Sequence, residues 1–101
     1  MQLMTKELEW KFPLLYATEG MNPKDVKIIA KFFDPCSGWT WYATEYDPIE
    51  RIFFGFVVGF EKEFGFFSLY ELQSIKGRFG LGIERDRYFG EHTLAEVTSI
   101  T

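Results

Sequence analysis

The chain has 101 residues, enough for one domain with one core, and 20% of them are aromatic, 12 being Phe, so some aromatic surface is expected to stay accessible. With 11 basic against 15 acidic residues the formal charge is −4, which excludes bulk electrostatic binding of nucleic acid while leaving room for a local basic patch. The single cysteine, Cys36, excludes an internal disulfide, and no apolar run is long enough to span a membrane, so a cytoplasmic protein is expected.

The N-terminal MQLMTKELEW has no apolar core of a secretion signal; Thr5 instead reads as the N-cap of a short helix with Leu8, Phe12 and Leu15 on one side. Pro13 disfavours helical geometry at Phe12 and ends or kinks that helix. Ala17–Lys24, with Gly20, Asn22 and Pro23, reads as loop. Strand-like runs follow at Val26–Phe33, Trp39–Tyr46, Arg51–Phe60 and, more briefly, Phe64–Phe67. Their short connections, DPCSG, DPIE and EKE, predict an antiparallel meander. Ser68 to Glu71 and Thr93 to Glu96 are capping boxes that open two helices, and IERDRYF between them reads as a short strand or extended segment. The expected fold is α+β: a four-stranded antiparallel meander with short helices packed on one face.

The densest stretch, WTWYATEYDP at 39–48, combines aromatics and carboxylates that would suit either a site or a sheet with a turn. Asp47-Pro48 and Asp34-Pro35 have the chemistry of type I turns, so both aspartates are read as turn builders. Alternation places Trp39, Trp41, Ala43 and Glu45 on one face of the second strand. A connection over residues 47–50 pairs Tyr46 with Arg51 and Trp41 with Phe56, adding Phe54, Phe56 and Val58 to the tryptophan face. In the first hairpin, burial favours Asp34 opposite Trp39, because that register brings Val26, Ile28, Ala30 and Phe32 to the same face. The tryptophans are then core. The opposite face collects Lys27, Lys31, Tyr42, Tyr46, Arg51, Phe53 and Phe67. That face is either a contact surface or one covered by a helix or the C-terminal segment, and a dimer burying it would equally account for its aromatics.

Glu45, on the expected core face, needs a partner, and Arg85 is the candidate for a structural ion pair. Glu84 and Asp86 would share one face of a strand, with Arg85 and Arg87 on the other. With Glu45, the two carboxylates form the one grouping that suggests a small metal-dependent enzyme, although such alternating charge is commonly just a salt-bridged strand. No nucleophile–base pair, zinc site, phosphate loop or cofactor motif is visible: His92 is the sole histidine, and GRFGLG has the wrong spacing.

Taken together, WTWYATEYD, FGFVVGFEKEFGFFSLYEL and GIERDRYF resemble the bacterial domain-of-unknown-function 2958 family, from Leu3 to about Leu94. Members often carry a proline where this chain has Gly82. Its members are short proteins of plasmids, conjugative elements and phages, and the resemblance lends no catalytic residues. It implies a setting in which small proteins bind and disable a host defence enzyme, in the manner of anti-CRISPR or antirestriction proteins. The expectation is therefore a non-enzymatic interaction protein with a protein partner, such as a host nuclease complex. Its contacts would come from Lys27, Lys31, Tyr42, Tyr46, Arg51 and Phe53, with Arg85 and Arg87 from the charged segment. The alternative is a single-stranded nucleic-acid binder that stacks bases on Tyr42, Tyr46 and Phe53 and holds phosphates with Lys27, Lys31 and Arg51.

Overall fold

Side-chain caps open the helices of the computed structural model, which describes residues 2–100. Thr5 is extended and its Oγ1 accepts the Leu8 amide at 3.1 Å, starting α1 (Lys6–Glu9). The Ser68 hydroxyl accepts the Glu71 amide at 2.9 Å at the head of α2 (Leu69–Ser74). Thr93 Oγ1 accepts the Glu96 amide at 3.2 Å at the head of α3 (Leu94–Ile100). Each cap satisfies a first-turn donor that the helix itself cannot pair, worth about 1 kcal/mol. The aspartates build the turns. Asp34 Oδ1 accepts the Cys36 amide at 2.9 Å, and Asp47 Oδ1 accepts those of Ile49 and Glu50 at 2.9 and 3.3 Å.

Five strands form one antiparallel sheet: β1 (Ala30–Phe33), β2 (Thr40–Asp47), β3 (Ile52–Val58), β4 (Lys62–Ser68) and β5 (Glu84–Arg85), in the order β4-β3-β2-β1-β5. The fold is α+β, with the expected meander running from β1 to β4. The fifth strand corrects the expected four: the IERDRYF segment returns to the outer edge of β1 and pairs Arg85 with Phe32 and Glu84 with Phe33. Regular pairing of β1 begins only at Ala30. Upstream, Lys27 bridges to Thr93 and the Ile28 amide donates to His92 O at 2.9 Å, so this stretch runs beside the C-terminal segment.

The two hairpins differ in register. In the first, Ala30 faces Ala43 and Phe32 faces Trp41, and Asp34 N donates to Trp39 O at 3.0 Å, as burial favours. In the second, Trp41 faces Val57, not Phe56, and β2 carries a bulge between Ala43 and Glu45. Tyr46 consequently faces Phe53. A bulge inserts one unpaired residue and reverses the alternation beyond it. Tyr46 and Phe53, assigned by alternation to the second face, therefore lie on the tryptophan face and are 1% and 0% exposed; Phe67 joins them. Packing gives the reason. Phe53 sits at ring-centroid distances of 4.6 Å from Tyr46, 5.5 Å from Phe12, 5.3 Å from Phe32 and 5.3 Å from Phe67. Gly55 marks the same place, since a Cβ there would stand 1.9 Å from Tyr42 O.

Helical cover lies on both faces of the sheet, not one. The first face holds the larger core, in which Leu3, Phe12, Leu69, Leu72 and Ile83 pack over Phe32, Trp41, Tyr46 and Phe53. On the second face, Val97 and Leu94 of α3, with Phe89, cover Ile28, Tyr42 and Phe56. Cover stops there. Phe64 and Phe66, on the β4 edge of that face, remain 51% and 54% exposed.

Candidate interaction surfaces

A groove opens where the chain leaves the outer edge of β1. Asp86 N donates to Lys31 O at 2.9 Å; the chain then swings away, turns at Gly90 (φ 75°), and returns at the His92 O bond to Ile28 N. Two adjoining clefts of about 590 and 440 Å³ occupy the gap: the first lies between the chain entering β1, Lys11 and the 90–93 segment, and the second between the start of β1, α1 with Lys11 and the 85–90 segment. Lys11 lines both clefts, Lys27 the first, and Lys31, Arg85 and Arg87 the second. Some of these charges are already engaged. Lys31 Nζ is 3.5 Å from Asp86 Oδ2 and lies over the Phe89 ring at 5.3 Å, while Arg85 Nη1 donates to Leu3 O at 3.2 Å. The Glu96 carboxyl is held below its ordinary value mainly by the hydrogen bond from His92, 2.9 Å away. Burial, with Asp86 nearby, raises the Tyr42 phenol.

Four of the five cations singled out by sequence thus come together, Arg51 being the exception, and the aromatics named with them do not. Lys27, Lys31, Arg85 and Arg87 line the groove. Tyr42 is 8% exposed beneath α3, and Tyr46 and Phe53 are core. Arg51 is exposed in the turn before β3, at φ 56°. Lys11 was not anticipated: nothing in the sequence marks a lysine beyond a four-residue helix as a neighbour of the 86–91 loop, and only the tertiary fold brings them together.

Glu45 takes other partners than Arg85. Its carboxylate accepts the amides of Tyr16 at 2.8 Å and Thr18 at 2.9 Å and the Thr18 hydroxyl. The bulge is the cause: it pairs Glu45 with Phe54 on the second face, whereas Arg85 faces Phe32 on the first. The carboxylate thereby anchors the 14–20 loop, in which Tyr16 adopts a left-handed conformation (φ 70°). The Glu45, Glu84 and Asp86 grouping is not assembled either, and among the described residues no set of three or more His, Cys, Asp or Glu side chains is placed to hold a metal ion.

The second surface is the open half of the second face. Phe54 lies 6.2 Å from Phe64 and 5.1 Å from Phe66, and the 64% exposed Tyr16 extends the cluster, 6.2 Å from Phe66. Phe64 and Phe66 stand on an edge strand whose pairing with β3 is regular throughout. The sequence marks 64–67 only as a short strand-like run, and nothing in it says which of its rings stay uncovered.

In comparison with known proteins, a family model described as "Protein of unknown function (DUF2958)" aligns with residues 3–100. No curated protein and no solved structure matches the chain. Among the described residues, no helix is long and apolar enough to cross a membrane.

Proposed function

The chain belongs to this family of proteins of unknown function, DUF2958, and from that starting point we propose that it is a small non-enzymatic protein that acts in the cytoplasm by binding another protein. The observation that supports this reading is the uncovered aromatic cluster of Tyr16, Phe54, Phe64 and Phe66. Exposed aromatic rings on a rigid sheet are costly to leave in water, and rings of this kind are enriched at the buried centres of protein interfaces. An edge strand adds main-chain donors and acceptors beside them. The partner class is a host defence enzyme, such as a restriction or CRISPR nuclease, bound and disabled without chemistry on the inhibitor's part. Phosphate-backbone binding is the weaker reading at this surface: Lys62 is the one cation that β4 sets on the same face as Phe64 and Phe66, and the chain as a whole is acidic.

The test is affinity capture from host lysate with the tagged protein and its Phe64→Asp and Phe66→Asp variants, with and without nuclease. A protein retained by the unaltered chain after nuclease treatment and lost from both variants is the expected result. Equal retention by all three would reject the aromatic surface. Capture abolished by nuclease would transfer the function to nucleic-acid binding.

A further inference from the structure

We propose that the groove between α1, the outer edge of β1 and the 86–91 loop binds an extended acidic segment of a protein. This is a second site, on the far edge of the sheet from β4, and it stands independently of the aromatic surface.

Three features of the groove select that ligand. The first is its shape. Each cleft has a volume within the usual range of ligand pockets, and the chain entering β1 supplies apolar lining, Ile28 and Ile29 in the first and Ile29 and Ala30 in the second, a bed for an extended chain.

The second is the placement of charge. Exposed Lys27 lines one cleft, exposed Arg87 the other, and Lys11 is common to both, so a ligand running along the groove meets separated cations in succession. Lys31 is paired with Asp86 and adds little net field, whereas Glu96, hydrogen-bonded to His92, keeps its negative charge beside the first cleft.

The third is the pattern of repulsion. Glu7 and Glu91 stand on opposite walls. A nucleic-acid strand carries a phosphate on every nucleotide and has no neutral position with which to pass them. In an extended peptide, side chains on one side recur every ~7 Å and need not all be acidic, so discrete carboxylates can meet the cations while intervening small side chains pass the wall glutamates. Screening confines each charge to its neighbourhood, about 8 Å at physiological salt, so the local pattern and not the net charge decides. Single exposed ion pairs are weak, and affinity must come from several made together.

The experiment is a two-dimensional NMR titration of the whole protein with a capped hexapeptide alternating glutamate and alanine. Three further probes are titrated in parallel: the same peptide with glutamine for glutamate, free glutarate, and a ten-nucleotide oligothymidylate. The expected result is that the glutamate peptide shifts the amides of Ile29, Gly90 and Glu91, with affinity falling at least three-fold between 50 and 200 mM salt. Lys11→Ser and Arg87→Ser should each weaken it about three-fold. The double variant K27E/R87E should abolish it, and Phe64→Asp should leave it unchanged, which separates this site from the aromatic one. The side chains exchanged in the groove are exposed, and an unchanged amide spectrum elsewhere verifies the fold. Equal shifts with the glutamine peptide would overturn charge recognition. Equal shifts with free glutarate would make this a small-anion site, and groove shifts with the oligonucleotide but not the peptide would make it a nucleic-acid site; either overturns the proposal.

Discussion

The two faces of the sheet carry aromatic side chains in similar density and use them differently. On the first, Phe32, Tyr46, Phe53 and Phe67 pack ring against ring and are sealed beneath the N-terminal segment, through Phe12, and α2. On the second, α3 and Phe89 cover the half that holds Tyr42 and Phe56, and Phe54, Phe64 and Phe66 continue the same ladder into solvent. A protein that had to stabilise only itself would gain nothing from the open half. Rings that hold the fold together and rings that face outward are distinguished here by cover, not by residue type.

Mutations should divide along that line. Phe53→Ala, which empties the centre of the first face, is expected to cost about 3–5 kcal/mol in chemical denaturation, enough to unfold a domain of this size at elevated temperature. Glu45→Ala removes the anchor of the 14–20 loop and leaves the Tyr16 and Thr18 amides without their acceptor; a loss of about 2–3 kcal/mol and proteolytic cleavage within 14–20 should follow. Gly55→Ala pushes a methyl group into Tyr42 O and should cost about 1–3 kcal/mol, with amide shifts concentrated at the bulge. Phe64→Ser and Phe66→Ser should lower stability by no more than about 1 kcal/mol, since about half of each side chain is already in water, yet either should abolish partner capture. If Phe64→Ser proved as destabilising as Phe53→Ala, the distinction between the faces would fail.

The smallest effect concerns the far end of the molecule. The folded-state pKa of Glu96 is depressed, chiefly by the His92 hydrogen bond, so its contribution to stability is present above the ordinary value of 4.5 and disappears as the pH falls through the depressed one. His92→Ala should move the Glu96 titration, followed by NMR, upward toward 4.5 and remove most of that contribution at neutral pH, a loss smaller than any of those above.

Local signals were legible in the sequence because their physics is local. Thr5, Ser68 and Thr93 cap the helices they precede, and Asp34 and Asp47 close their turns through bonds to the next two or three residues. The first hairpin register was legible as well, because one register buries Ala30 and Phe32 and the other would bury Lys31. The second hairpin offered no such contrast: β3 is aromatic or aliphatic on both sides, so either register buries a plausible face. The glycine that settles it, Gly55, looks in the sequence like any interruption of an apolar run, and its need for space appears only when Tyr42 O is brought opposite.

By itself, then, the sequence determined the α+β class, the meander, the caps and turns, and a set of cations without a binding partner in view. The tertiary structure decided which aromatics are core, which carboxylate anchors which loop, and that Lys11, Lys27, Lys31, Arg85 and Arg87 share one groove. The division has one cause. A cap or turn depends on residues a few positions apart, whereas a bulge, a face or a groove depends on contacts between distant segments, whose free energies are compared only once the chain has closed on itself.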